Sequence, residues 1–252
     1  MTGSHRPAVE KNNSGFTLVE IAMVLFIVTL LMAGLVPTIN AQLEQQRTNE
    51  TRKKISEIKE ALIGFAIANG RLPCSADGTK IAGQADYGTE RASCSALNAY
   101  GVVPWITLGT SETDGWGHRF TYRVTNQFAD SFASATYTGG CVLPNPIPIP
   151  TQASFALCSV GNVTVKTAAA GTPIALTPAI IISHGKNGYG AYTPAGGTPP
   201  LPVPVGNADE VANADSDLNY VSHAPTPVFD DLVDWISPNI LFNRMVVAGK
   251  LP

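Results

Sequence analysis

Between Glu20 and Glu44 the chain carries no charged side chain, and from Leu18 to Ile39 nearly every position is Leu, Ile, Val, Ala, Met or Phe. This run predicts an apolar helix over 16–39, long enough for the ~20 residues that cross a bilayer. Gly34 and Pro37 interrupt the run. A proline inside a helix removes a backbone hydrogen bond and clashes with the preceding turn, so a kink or local melting is expected near 33–38. Past Asn40 the pattern changes. Glu44, Arg47, Glu50, Arg52, Lys53 and Lys54 precede a stripe of Ile55, Ile58, Leu62 and Phe65. Spacings of three, four and three belong to an amphipathic helix resting on a core. Asn69-Gly70 and Leu72-Pro73 supply the stop. One helix over about Phe16–Ala68 would be ~80 Å long at the α-helical rise.

Beyond Pro73 turn residues dominate and the period shortens. After the turn cluster Asp114-Gly115-Trp116-Gly117, Phe120, Tyr122 and Val124 alternate with polar residues, which predicts a strand with one buried face. Phe155–Cys158 and Val163–Val165 read as a strand or hairpin turned at Gly161-Asn162, and Ala179–Ser183 as a short, wholly apolar strand. Helix is expected at Asp230–Ile236 and at Ile240–Ala248. Pro144–Pro150 and Thr193–Gly206, both dense in proline, read as extended loops. The apolar stripe of the helix needs a cover, so the predicted class is α+β: a long amino-terminal helix whose amphipathic half packs on a small antiparallel sheet. The chain divides into a polar leader (1–15), an apolar half-helix (16–40), an amphipathic half-helix (41–70) and a head (71–252).

Charged residues make up 14% of the chain, low for a soluble domain. Up to Gly70 there are seven Lys/Arg and six Asp/Glu; from Arg71 onward there are nine against thirteen, a balance of −4. That balance gives no general basic footprint for nucleic acid. Arg119 and Arg123 share strand parity, and two arginines are too few to make such a surface. All four cysteines follow the apolar run, as in a chain whose distal part meets an oxidising compartment. Three pairings are open; Cys74–Cys94 and Cys141–Cys158 are favoured because each closes a short loop of about 20 residues, worth roughly 3 kcal/mol in the chain-entropy model. No Cys-x2–4-Cys pair offers a zinc site.

A carboxylate just inside an apolar segment is expensive, roughly 2.5–3.5 kcal/mol at a helix centre, and marks a functional position. A secretory signal places its apolar core before the cleavage site; here the polar leader comes first and the candidate site precedes the core. Ser14-Gly15-Phe16-Thr17-Leu18-Val19-Glu20 resembles the type IV prepilin signal. The resemblance implies cleavage between Gly15 and Phe16, methylation of the new amino group of Phe16, and Glu20 as the acidic fifth mature residue that guides assembly. It makes Pro37 the point where the helix can stretch or unwind as subunits pack. It also implies a prepilin peptidase, other pilin or pseudopilin subunits and an inner-membrane assembly platform as partners. The protein would be a single-pass inner-membrane precursor with its head in the periplasm, then part of a pseudopilus or surface pilus.

The head resembles the major pseudopilins of type II secretion, in which a D-x-W-G turn, an S-x-G-x-D-G turn and a paired-Asp loop follow in order. Here the counterparts are Asp114–Gly117, Ser183–Gly188 and Asp230-Asp231, with Asn187 in place of the acid and long insertions between. The resemblance implies calcium, with Asn207, Asp209, Asp215, Asp217, Asp230 and Asp231 as candidate ligands and Ser183 beside them. Calcium takes six to eight oxygens; the alternative is that these acids cap turns. No G-x-S-x-G, P-loop or H-E-x-x-H motif occurs, and Ser183 and His184, adjacent on a strand, point to opposite faces, so no enzyme is expected. Two other readings stand beside the filament subunit: a single-pass envelope protein that never polymerises, and a minor pilin whose head serves adhesion or DNA uptake.

Overall fold

The computed structural model describes residues 15, 17–95, 98–129, 153–196, 202–204 and 206–251, side chains at 33–38 excepted. Helix α1 (Leu18–Asn69) is followed by β1 (Tyr100–Val102), α2 (Trp105–Leu108), β2 (Thr121–Val124), α3 (Asn126–Ala129), β3 (Val163–Lys166), β4 (Pro173–Thr177) and β5 (Ala179–Ser183). Helix α4 (Ala208–Ala214), β6 (Asn219–Val221), β7 (Leu232–Trp235) and α5 (Pro238–Val247) complete the order. The chain forms two compact units, Met1–Gln46 and Arg47–Pro252. Helix α1 runs through Gly34 and Pro37 without interruption. It stops at Gly70, whose positive φ of 71° lets its N–H reach the Ala66 carbonyl at 2.8 Å.

In the second unit a four-stranded antiparallel sheet has the order β1-β2-β5-β7. Ile55, Ile58, Leu62, Ile63 and Ala66 of α1 pack on one face, against Tyr122, Val124, Ala179 and Ile181. The stripe is thus set slightly off the expected one, with Phe65 half-buried and covered by the Arg71 guanidinium at 5.3 Å. A second sheet, β4-β3-β6, mixes one antiparallel and one parallel pair. Its Val163, Val165 and Tyr220 meet Ile180 and Ile182 on the far face of β5. Helix, sheet and second sheet form three layers, which is why Ala179–Ser183 is apolar on both faces.

Two expected elements differ. Asp230–Ile236 is not helical: Leu232–Trp235 is strand β7, paired with β5 from Ile180↔Trp235 to Ser183↔Leu232. A buried apolar strand needs a partner on each edge; β2 takes one and β7 the other. Val233 and Trp235 turn to the second sheet, while Asp234 receives Lys59 of α1 at 2.9 Å. The hairpin at Gly161-Asn162 does not form. Ala156 and Ser159 close a turn, Phe155 stacks on Phe128 at 4.7 Å between centroids, and β3 pairs with β4 instead.

Cys74 and Cys94 form a disulfide across a sequence separation of 20. The second expected pair includes Cys141, which lies outside the described residues, as do the leader up to Ser14 and Phe16. Arg119 is fully buried between the Trp105 and Tyr87 rings, 4.9 and 5.5 Å from their centroids. Its guanidinium donates to Glu112 Oε1 and to the Gly78 and Lys80 carbonyls. Arg123 is buried as well and donates to the Ser216 carbonyl. Neither arginine lies on an exposed basic surface.

Two glycines on or against α1 should respond in opposite directions. Gly64 is exposed mid-helix with nothing within 4 Å of an added Cβ, so Gly64→Ala should stabilise by about 0.5–1 kcal/mol. A Cβ on Gly115 would lie 2.7 Å from the Arg47 carbonyl oxygen, so Gly115→Ala should destabilise by about 1–3 kcal/mol. Urea unfolding of the full chain in detergent measures both.

Candidate functional sites

At the start of α1, Gly15 is exposed and open: nothing lies within 4 Å of where a Cβ would stand. Thr17 and Glu20 form a reciprocal cap. Glu20 Oε2 accepts the Thr17 N–H and hydroxyl, both at 2.9 Å, and Thr17 Oγ1 accepts the Glu20 N–H at 3.2 Å. This is the capping box S/T-x-x-E, which satisfies two donors that a helix start otherwise leaves unpaired. Thr17-x-x-Glu20 ahead of an apolar run is its sequence signature, and it gives Glu20 a local structural part beside the assembly part expected of it. Leu18, Val19, Met23, Leu25, Phe26 and Met32 each expose more than half of their surface. Among the described residues, which lack the side chains at 33–38 inside the apolar run, no helix is long and apolar enough to cross a membrane.

In the head the five expected acids separate into three places. Asp209 accepts the Ala169 N–H at 2.7 Å and pairs with His223 at 3.3 Å. Asp215 and Asp217 accept the backbone N–H groups of Asp217 and Asn219 at 2.9 and 2.6 Å, turning the chain from α4 into β6. Asp230 and Asp231 meet a residue absent from the expected set, Glu210, and carboxylate oxygens of all three lie within 4.8 Å of one another. Glu210 sits three residues after Asn207, whose side chain caps α4. That cap orients the first turn and turns the Glu210 carboxylate inward. Sequence offered the Asn-x-x-Glu spacing and no sign that the acid would be buried.

Hydrogen bonds hold the cluster from several sides. Asn187 donates its N–H to Asp230 Oδ2 at 3.0 Å and its amide to Glu210 Oε1 at 3.1 Å. The Asp230 N–H reaches Glu210 Oε1 at 3.2 Å, and Asn213 Nδ2 reaches Asp231 Oδ2 at 2.7 Å. Glu210 Oε2, Asp230 Oδ1 and Asp231 Oδ1 are buried and accept no hydrogen bond, with His184 Nδ1 3.5 Å from Asp231 Oδ1. Burial, then the charge of Asp231, pushes the Glu210 carboxyl up to about 7; burial also raises Asp230. The 183–190 turn reaches the cluster because Gly185 has a positive φ of 57° and no Cβ, which would stand 2.4 Å from the Asp230 carbonyl. A cleft of about 380 Å³, lined by Arg52, Ile55, His223, Asp231 and Leu232 among others, opens beside Asp231.

Asp114 ties these turns together. Its Oδ1 accepts the Trp116 and His118 N–H groups, each at 2.9 Å, and its Oδ2 accepts the Ser183 hydroxyl at 2.6 Å. His184 lies with Nε2 2.9 Å from Thr121 Oγ1 and Nδ1 3.5 Å from Asp231 Oδ1. The order hydroxyl, imidazole, carboxylate matches a nucleophilic triad in kind, yet Thr121 and His184 have no exposed surface for a substrate to reach.

A family model described as the prokaryotic N-terminal methylation motif matches residues 11–36. No curated protein and no solved structure matches the chain. The motif is the signature of type IV pilins and pseudopilins; it implies processing by a prepilin peptidase and assembly with other pilin subunits.

The raised Glu210 carboxyl has a measurable consequence. The folded chain keeps a proton that the unfolded chain has released between pH 4.5 and about 7. This contribution to stability is therefore present at the acid end of that window and is lost as pH rises through the folded value. In chelating buffer, wild type should melt a few degrees lower at about pH 8 than at about pH 5.5, and Glu210→Gln should flatten the difference. Thermal unfolding by circular dichroism checks it.

Proposed function

We propose that the chain is a structural subunit of a type IV pilus-like filament or a type II secretion pseudopilus. The observation that carries this reading is the coincidence of the methylation motif with a capped helix start bearing a continuous apolar surface. A prepilin peptidase cuts after Gly15 and methylates the amino group of Phe16. Before assembly the apolar half of the helix is the single membrane anchor, with the leader cytoplasmic and the head in the periplasm. An inner-membrane platform then moves the subunit into a filament, where apolar segments of neighbouring copies cover one another and Pro37 gives the helix local freedom to adjust.

Glu20 has a defined part in this step. The capping box holds its carboxylate at the start of its own helix, beside the position where cleavage creates a positive amino group. In the filament that carboxylate pairs with the amino terminus of a neighbour, so neither charge enters the apolar bundle alone. Removing one partner of a buried pair typically costs about 3–5 kcal/mol, enough to decide entry. Gly15→Ala should leave a full-length species on an immunoblot of cell envelopes. Glu20→Ala should be cut normally and be missing from sheared filament fractions. Normal cutting of the Gly15 variant would sink the cleavage assignment.

A second reading concerns the head. Two buried carboxylates and a half-buried one, each with a buried oxygen that accepts no hydrogen bond, fit a divalent cation, and a set made only of oxygen suits calcium. Glu210, Asp230 and Asp231 would hold it, and the positive charge would offset their mutual repulsion. Calcium should raise the melting temperature of the full chain in detergent by several degrees at neutral pH, and Asp231→Asn should abolish the rise. An unchanged wild-type melting curve would remove calcium from the account.

A further inference from the structure

We infer that cation loading of the Glu210–Asp230–Asp231 cluster sets how firmly the head grips helix α1 at residues 47–54; this rests on the cation reading above. The cluster and the helix are joined by a series of contacts, most of them half-buried hydrogen bonds. Asn187 and Gly185 fasten the 183–190 turn to Asp230, the first by an N–H bond to Oδ2 at 3.0 Å, the second by close backbone approach. The same turn is tied to the 114–118 turn on its other side, through the Ser183 hydroxyl on Asp114 Oδ2 at 2.6 Å and His118 Nδ1 beside the Gly185 carbonyl at 3.2 Å.

The 114–118 turn is in turn the seat of the helix. The Gly115 N–H donates to Thr51 Oγ1 at 2.9 Å, the Thr51 hydroxyl donates in turn to the Arg47 carbonyl at 2.8 Å, and Lys54 Nζ reaches the Asp114 carbonyl at 3.4 Å. Thr51, Asp114 and Ser183 are all buried, and the Ser183–Asp114 bond at the centre of the series is buried on both sides, so losing it costs the desolvation of both groups. Contact at Gly115 is too close for even a methyl group.

The two arrangements that the cation chooses between lie at Asp230. Unlike Asp231 and Glu210, it is only half-buried, so it is the member of the cluster that can turn to water when the three carboxylates repel. Turning outward releases Asn187, loosens the 183–190 turn and leaves Ser183 and His118 without a fixed backing. A cation removes the repulsion and keeps Asp230 inward. Loading at the cluster thereby stiffens a turn and a stretch of helix that share no residue with it.

Hydrogen exchange followed by mass spectrometry on the full chain in detergent tests this, with saturating calcium against chelator and calcium binding measured in parallel by titration calorimetry. Calcium should slow exchange by about tenfold in peptides covering 183–190, 114–118 and 47–54. Thr51→Val removes the hydroxyl under Gly115 and leaves the cluster intact. It should bind calcium as wild type does and keep the slowing at 183–190, while exchange at 47–54 no longer responds. Calcium that binds and protects 183–190 but leaves wild-type 114–118 and 47–54 unchanged overturns the coupling alone. Absence of calcium binding overturns the cation reading and the coupling with it.

Discussion

Apolar side chains on residues 18–32 of α1 cannot stay in water at no cost. Fully burying a Leu, Val, Ile, Phe or Met side chain is worth about 1.5–3 kcal/mol, and this stretch leaves a contiguous series of them exposed. Contiguous surface of that kind marks an interaction site rather than a finished monomer. The second half of the same helix has the opposite condition, because Ile55, Ile58 and Leu62 are buried under the head's first sheet. One element therefore serves two environments, and the change of composition near Glu44 is where one gives way to the other. The capping box at Thr17 and Glu20 belongs to this constraint: a helix start facing an apolar medium has to satisfy its own N–H groups.

The head answers a different problem, how to build a polar interior between two sheets and a helix. Asp114, Ser183, Thr51 and Arg119 are buried and each is bonded to a specific partner. Such bonded groups fix relative positions more than they add net stability, because each exchanges water contacts for protein contacts. The carboxylate cluster stands apart from them. Three of its oxygens are buried and accept no hydrogen bond, so its carboxylates lie close together without full compensation.

Much of the architecture was legible because it follows from periodicity. The start and stop of α1 fall within two residues of the expectation, and Ala179–Ser183 is a strand over its expected range. What failed was context. Leu232–Trp235 is too short to show a period, and its state is decided by the unfilled edge of β5, which no local pattern reveals. Strand β4 begins at Pro173, a residue that argues against a strand except at a sheet edge, which is where β4 lies. The amino-terminal motif could be read from sequence, since its residues are consecutive and a methylation motif matches 11–36. The cluster could not: Glu210 and Asp230 are twenty positions apart, and folding alone brings them together.

The mass of the amino-terminal peptide of the mature protein bears most directly on the claim that Gly15–Phe16 opens an assembly helix. Protein recovered from its native envelope and digested should yield no leader sequence. Its first peptide should begin at Phe16 and carry one added methyl group. An assembled or membrane-bound chain that still begins at Met1, or that begins at an unmodified residue elsewhere, would contradict it.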